Sequence, residues 1–339
     1  MVMPESPIQR PTIYDVARQA GVSKSLVSLV LQGSSRVSAG RRAAVLAAID
    51  DLGYRPSRAA TLLASHRTKS VEVVIDDFRN LSFVRLVTGI QSALSADGYH
   101  LTVTDRRLNA HLAEQGAGSL LSTNLDGLII AGEPDVELLR GWEGPTVVAG
   151  WRTALPDGAD LVANDDELGG RMAADHLLGL GHRTIGHLTG TSGPAAHRRE
   201  GFTSRLAEAG LTPRVTGDEQ DTSEEDGYRA ATQLLGENPL VTAIFAANDT
   251  MALGALAAIR TRGLSVPTDV SIIGYDNSPL AQSRYLSITS IDDRSEAVGA
   301  SAGRALLDRF DDPGIEPRRT LIEPTLVVRD TTAQVKVFS

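Results

Sequence analysis

The segment from Thr12 to Ser65, TIYDVARQAGVSKSLVSLVLQGSSRVSAGRRAAVLAAIDDLGYRPSRAATLLAS, constrains the fold of this chain more than any other. Its pattern predicts two short helices about a glycine turn, then a third helix, then a basic stretch. Thr12 opens the first helix, with Asp15 three residues on, where the positive end of the helix dipole favours an acid. Ile13, Val16, Ala17 and Ala20 fall on one helical face. Gly21 supplies the left-handed residue that ends the helix. Ser23 caps a second helix whose apolar face is Leu26, Val27, Val30 and Leu31. Two short helices meeting at such a turn make a helix-turn-helix, whose second helix can enter a DNA major groove. An ordinary helical hairpin would show the same pattern.

Charge helps to separate the two. Residues 1–69 carry ten Lys/Arg against four Asp/Glu, a net +6, whereas the other 23 basic and 38 acidic residues leave −15 on the remainder. A small basic segment on a large acidic body fits a nucleic-acid-binding arm joined to a domain with another task. The acidic body repels DNA, so binding is confined to the arm. Lysine occurs only at positions 24, 69 and 336, so part of the arginine preference reflects composition.

With YDVARQAGVS as first helix and turn, the segment resembles the headpiece of the lactose/galactose repressor (LacI/GalR) family, and the similarity continues through the rest of the chain. The resemblance implies a headpiece at 10–56, a hinge helix and linker at 57–69, and an effector-binding and dimerisation core at 70–333. It implies that Lys24, Ser25 and Ser28 face the major groove, where lysine donates to guanine and serine is a permissive partner. Thr12, Ser23, Tyr14, Arg36 and the Arg41/Arg42 pair also belong to the DNA side, the last four residues as phosphate contacts that fix position more than sequence. Leu29 departs from the family, many members having a base-contacting arginine there. Ser57–Ser65 corresponds to a hinge helix that forms on operator binding. Its Arg58, Ala59, Ala60 and Leu63 match minor-groove contacts, with Leu63 as the wedge between base pairs. Packing of Leu63 against the neighbouring domain is the alternative.

Beyond Ser70, apolar runs at 71–75, 101–104, 126–132, 146–150, 183–188, 243–247 and 270–275 alternate with helical segments such as Val84–Ala96, Leu168–Leu178 and Thr250–Arg262. This alternation predicts parallel sheets with helices on both faces. Asn164, Asp165 and Asp166 mark the passage into a second α/β lobe. The resemblance implies a periplasmic-binding-protein-like core of two doubly wound parallel-sheet lobes, lobe 1 about 70–163 and 290–312, lobe 2 about 164–289 and 319–333. On that reading the chain crosses back near Ser290, and the tail from Thr320 to Arg329 rejoins the second lobe.

Ligands of open parallel sheets bind outside the carboxyl ends of the strands. That rule selects Asp76, Asp77 and Phe78 after the first strand, and Gly150 and Trp151 after the fourth. It also selects Asn248 and Asp249 after AIFAA, and Asp276 and Asn277 after VSIIGY. Carboxylates and amides suit polyol hydroxyls, and a tryptophan face covers sugar C–H surfaces. Family alignment adds effector contacts at Asp76 or Phe78, Arg198, Asn248 and Asp276, with Arg198 forking onto a hydroxyl pair or carboxylate. Helix capping is the competing reading for Asn248 and Asp249, and the preferred one for Asp249, Asp165 and Asp166. Two departures concern the effector: Gly150 replaces an acid common after the fourth strand, and a common aromatic is replaced around Thr222. Trp151 is the expected substitute stacking surface.

The chain has no cysteine, which excludes disulfide and thiolate chemistry. No secretory leader or membrane span is legible, so a cytoplasmic protein is expected. His176, His182 and His187 lack zinc spacing, and GHLTGTSGPA lacks the lysine of a phosphate loop. No catalytic constellation, metal site or cofactor is expected. The reading is a DNA-binding transcription regulator, a homodimeric repressor of carbohydrate-use genes released from a palindromic operator by a sugar-like or polyol effector. Too few residues follow the last predicted strand for a tetramerising heptad helix. The alternatives are a corepressor-type regulator answering a nucleoside or phosphorylated metabolite, a sugar-binding transport protein, and a sugar-modifying enzyme using Asp76, Asp77 and Asp276.

Overall fold

In a computed structural model, the chain is described at residues 11–31, 36–54, 68–109, 125–133, 139, 142–190, 193–217 and 221–336. It divides into two compact units, Met1–Thr68 and Lys69–Ser339.

The first unit holds α1 (Ile13–Gln19), α2 (Lys24–Leu31) and α3 (Ala39–Leu52). Asp15 accepts from the Thr12 amide (2.9 Å) and hydroxyl (2.7 Å), which ties the start of α1. Gly21 turns the chain at φ 64°, and Ser23 Oγ accepts from the Leu26 amide. Val16, Ala17, Val27, Val30, Val45, Ala48 and Tyr54 form the small core. Leu31, expected on the apolar face of α2, is instead 38% exposed. The expected DNA residues Arg58, Ala60 and Leu63 lie outside the described residues.

The second unit is built on two six-stranded sheets. The first has the order β11-β5-β4-β3-β1-β2, with β1 Ser70–Ile75, β2 His100–Asp105, β3 Gly127–Ile130, β4 Thr146–Ala149, β5 Asp160–Asn164 and β11 Arg319–Ile322. The second has the order β12-β10-β9-β8-β6-β7, with β6 Ile185–Leu188, β7 Arg214–Thr216, β8 Ala243–Ala246, β9 Ser271–Tyr275, β10 Thr289–Asp292 and β12 Thr325–Val327. All pairings are parallel except β10 with β12. Alternate residues of β1 feed different cores: Val71, Val73 and Ile75 one face, Val74 the other. Burial on both faces is why these strands read as apolar runs.

The lobe crossings fall later than the resemblance implied. β10, which contains Ser290, pairs with β9 in the second sheet, so the chain leaves that lobe after Asp292. β11, with Thr320, pairs with β5 in the first sheet, and only β12 rejoins the second.

Three helix pairs cover the sheets: α4 (Ser82–Ser95) with α10 (Ser295–Asp311), α5 (Asp166–Gly179) with α6 (Gly193–Glu208), and α7 (Glu224–Glu237) with α8 (Asp249–Thr261). A short α9 (Pro279–Gln282) follows β9. Each pair crosses on glycines, Gly89 with Gly299, Gly170 with Gly201, and Gly227 with Gly254. A Cβ at any of them would lie within 2.3 Å of a backbone oxygen of the partner helix.

The three histidines of the 176–187 stretch are structural. His176 bonds the Thr332 hydroxyl, and His182 bonds the Thr242 hydroxyl and the Ala333 carbonyl. His187 is fully buried, stacked on Phe245 at 4.7 Å, with Nδ1 on the Phe245 carbonyl. Burial pushes its pKa down to about 4, so it folds neutral. Below pH ~6.5 the unfolded chain takes up a proton there that the folded chain refuses, so this stability is lost as pH falls from 6.5 through 4. For His187→Phe, urea unfolding at pH 7 and 4.5 should show the variant gaining up to about 3 kcal/mol on the parent upon acidification. A pH-independent difference would contradict a neutral buried imidazole.

Candidate functional site

In the first unit, the exposed face of α2 carries Lys24 and Ser25, with Ser28 half-buried one turn on and Leu29 38% exposed beside it. Tyr14 on α1 is 59% exposed, and the Lys24 ammonium lies 5.1 Å from its ring centroid. Thr12, Ser23 and Arg36 are exposed. The helix presents a cation and hydroxyls at the spacing a groove-reading helix needs, with one aliphatic side chain among them.

In the second unit, a cavity of 1420 Å³ opens between the lobes, lined by strand ends of both sheets. Its floor is an ion cluster around Arg198 of α6. Nε donates to Asp166 Oδ1 at 2.7 Å, and Nη1 donates to the Ala247 carbonyl at 2.6 Å and lies 3.2 Å from Asp276 Oδ1. The guanidinium also covers the Tyr275 ring at 3.7 Å. Both carboxylates are at most 5% exposed. Burial raises the pKa of Asp166, offset in part by Arg198, and burial raises Asp276 well above the carboxylate range. Arg198 stays charged: its two acidic partners outweigh its desolvation.

Two further buried acids stand behind this cluster. Asp249 accepts from the Ser278 amide and the Ser290 hydroxyl, both at 2.7 Å, and Asp293 accepts from the Ser295 amide at 2.9 Å. Burial pushes each to about 6. Asp276 and Asn277 have left-handed φ of 94° and 45°, held by the Ile291 carbonyl accepting from the Asp276 amide and Ser290 Oγ accepting from the Asn277 amide. Non-glycine residues in this region cost energy and persist where their surroundings over-determine them.

On the first-lobe wall, Asp76 accepts from Arg106 Nη1 at 2.9 Å. Burial acts to raise Asp77, but Arg79, donating at 2.7 Å, and Arg107 hold it below its ordinary value. Asn248 caps α8, its Oδ1 accepting from the Met251 amide at 2.7 Å, while its Nδ2 donates to the Thr222 carbonyl.

Asp76, Asp77, Arg198, Asn248 and Asp276 thus converge on one cavity; Phe78 and Trp151 do not line it. Phe78 is 40% exposed. Trp151 packs against the back of the first sheet, its Nε1 on the Asn164 carbonyl and its ring between His197 at 4.3 Å and the Arg319 guanidinium at 4.2 Å. Of the expected caps, Asp165 does accept from the Leu168 amide. Asp166 instead pairs with Arg198, and Asp249 sits one residue inside α8, turned to Ser278 and Ser290. Asp166, Glu133, Arg152 and Asp293 also line the cavity and were not selected from the sequence. Extending the strand-end rule to 126–132 would have reached Glu133.

A helix-turn-helix carried on the same chain as a two-lobed α/β ligand cavity defines a DNA-binding transcription regulator responsive to a small molecule. Residues 12–57 match the model of bacterial regulatory proteins of the lacI family, and residues 174–332 that of the periplasmic binding protein-like domain. The chain is 34% identical over 332 residues to the transcriptional repressor PurR of Yersinia enterocolitica serotype O:8, covering 95% of this chain and 97% of that one. A solved complex of the transcriptional regulator CelR with cellobiose is 31% identical, with a TM-score of 0.67, covering 95% of this chain and 100% of that one. The lac repressor dimer bound to operator and the anti-inducer ONPF is 28% identical, with a TM-score of 0.79, covering 96% and 100%. The chain belongs to the lacI family of bacterial regulatory proteins. Among the described residues, no helix is long and apolar enough to cross a membrane.

Proposed function

We propose that this regulator is a cytoplasmic homodimeric repressor released from a palindromic operator by a neutral sugar or polyol bound between its lobes. The observation that carries the effector class is the make-up of the cavity wall: among the described residues, nine acidic side chains against four guanidinium groups. Arg198, deepest of the four, already holds Asp166 and Asp276. A phosphorylated effector would meet repulsion there, whereas hydroxyls can donate to the acids. Asp76, Asp77, Arg198, Asn248 and Asp276 are the effector contacts on this reading. The headpiece reads DNA through Lys24, Ser25 and Ser28, with Thr12, Tyr14, Ser23 and Arg36 positioning it and Arg58, Ala60 and Leu63 in the minor groove. CelR bound to cellobiose and a lac repressor dimer on its operator support the sugar and dimer assignments. No catalysis is assigned, because the relatives are named as transcriptional regulators.

The effector class is tested by melting the protein with neutral sugars, polyols and the corresponding sugar phosphates. A neutral compound at about 100 times its Kd should stabilise by roughly 2.7 kcal/mol, and its phosphate should not. Asp276→Asn should abolish the shift. Stabilisation by phosphates alone would overturn the neutral-effector assignment.

A further inference from the structure

Arg152 follows β4 by three residues and turns back over the carboxyl ends of β3 and β4. Its Nε donates to the Gly132 carbonyl at 2.8 Å and its Nη1 to the Trp151 carbonyl at 2.5 Å. Its Nη2 donates to the Ala149 carbonyl at 3.0 Å and to the Ala131 carbonyl. Gly150 makes room for this bend: at φ 93°, a Cβ there would lie 3.2 Å from both terminal nitrogens.

The other three guanidinium groups of the cavity wall each pair with a carboxylate, Arg79 and Arg107 with Asp77, and Arg198 with Asp166. Arg152 is held by main-chain carbonyls. Burial pulls it below the ordinary arginine range, and the charges of Asp76, Glu133 and Asp166 act against that. Glu133 spends one oxygen on the Thr153 amide and hydroxyl, and its other oxygen, Oε1, is buried without a donor. Four carbonyl dipoles therefore hold one planar cation, with the charges of three acids acting on it from further off.

We propose that Arg152 is a resident cation: its guanidinium fills an acidic, carbonyl-lined subsite of the first-lobe wall, and so reserves the cleft for neutral ligands by excluding guanidinium-type ones. The physical reason is the cost of the alternative. Without a cation the carbonyls lose their donors, and Glu133, whose Oε1 is buried without a donor, loses a compensating charge. A free planar cation with several N–H groups restores both, and an ammonium does so less well because it lacks the fork. The inference rests on the cleft being the effector site, but its test reads guanidinium alone, so it can fail while sugar binding stands, and the reverse.

The full chain and Arg152→Ala are melted in about 10 mM guanidinium chloride, far below denaturing concentrations, and in equal sodium chloride. The parent should melt alike in both salts. Arg152→Ala should melt lower in sodium and regain about 3 °C or more in guanidinium, saturably. If that variant folds only when purified with guanidinium, the rescue is shown directly. Arg152→Lys should melt at an intermediate temperature and gain little. The proposal is overturned if Arg152→Ala melts like the parent, or gains nothing from guanidinium over sodium, folded or not.

Discussion

Replacing Arg198 by leucine should lower the melting temperature of the core by about 10 °C and remove any response to effector. The expectation follows from what the substitution leaves behind. Asp166 and Asp276 are buried and take their compensating charge from this guanidinium, at 2.7 and 3.2 Å. Removing one partner of a buried ion pair costs roughly 3–5 kcal/mol, most of it from the uncompensated charge that remains. A pH dependence of defined sign comes with the loss. Burial already raises both acids, and without the cation their folded pKa values rise further. A carboxylate raised above its unfolded value contributes stability at low pH that is lost as pH rises through the folded value. The deficit of Arg198→Leu relative to the parent should therefore be larger at pH 8 than at pH 5. Thermal melts across that range decide it. A deficit that is constant with pH would mean that the acids are not the reason.

Gly201→Val should be at least as damaging, about 4 kcal/mol or more, although it changes neither charge nor any residue of the cleft. A Cβ at Gly201 would lie 1.9 Å from the Glu167 carbonyl oxygen, and one at Gly170 would lie 2.1 Å from the Arg198 carbonyl oxygen. These contacts are backbone on backbone, so no rotamer relieves them and α5 and α6 must part. α5 begins at Asp166 and α6 carries Arg198, so separating the helices also pulls apart the ion pair at the cavity floor. Gly179, at the end of the partner helix α5, provides the control. It faces open space, and Gly179→Ala should be neutral or slightly stabilising. Circular-dichroism melts of both variants check the contrast, and a Gly201→Val protein that melts like the parent would refute the close crossing.

These two residues also mark what the sequence disclosed and what it hid. Arg198 was legible, because a family motif singled out its position. Its pairing with two acids, Asp166 and Asp276, was not legible. Asp166 and Asp249 look locally like helix caps, and only distant partners, Arg198 at 32 positions and Ser290 at 41, turn them into other things. Most buried strands were legible as apolar runs because both faces of a parallel sheet are covered, but β5 and β10, also buried, were not among them. β7, β11 and β12 were not, being three or four residues long and largely unburied, without a pattern to read. β11 lies in the first sheet and β12 in the second, so the unread pair hid where the tail crosses back. The helix glycines were hidden for a related reason: within α5 nothing in the sequence distinguishes Gly170, at a crossing, from Gly179, at the surface. Trp151 stood out by rarity alone, and rarity does not say which way a ring points.

The central claim is that one chain joins operator binding to occupancy of the cleft. DNase footprinting on DNA upstream of this protein's own gene, at low and physiological salt, with and without neutral sugars and polyols, tests it most directly. A protected palindrome that one neutral compound abolishes is expected, with Asp276→Asn protecting the same sites and ignoring that compound. Protection relieved only by phosphorylated compounds, or undiminished when a neutral sugar demonstrably occupies the cleft, would contradict it.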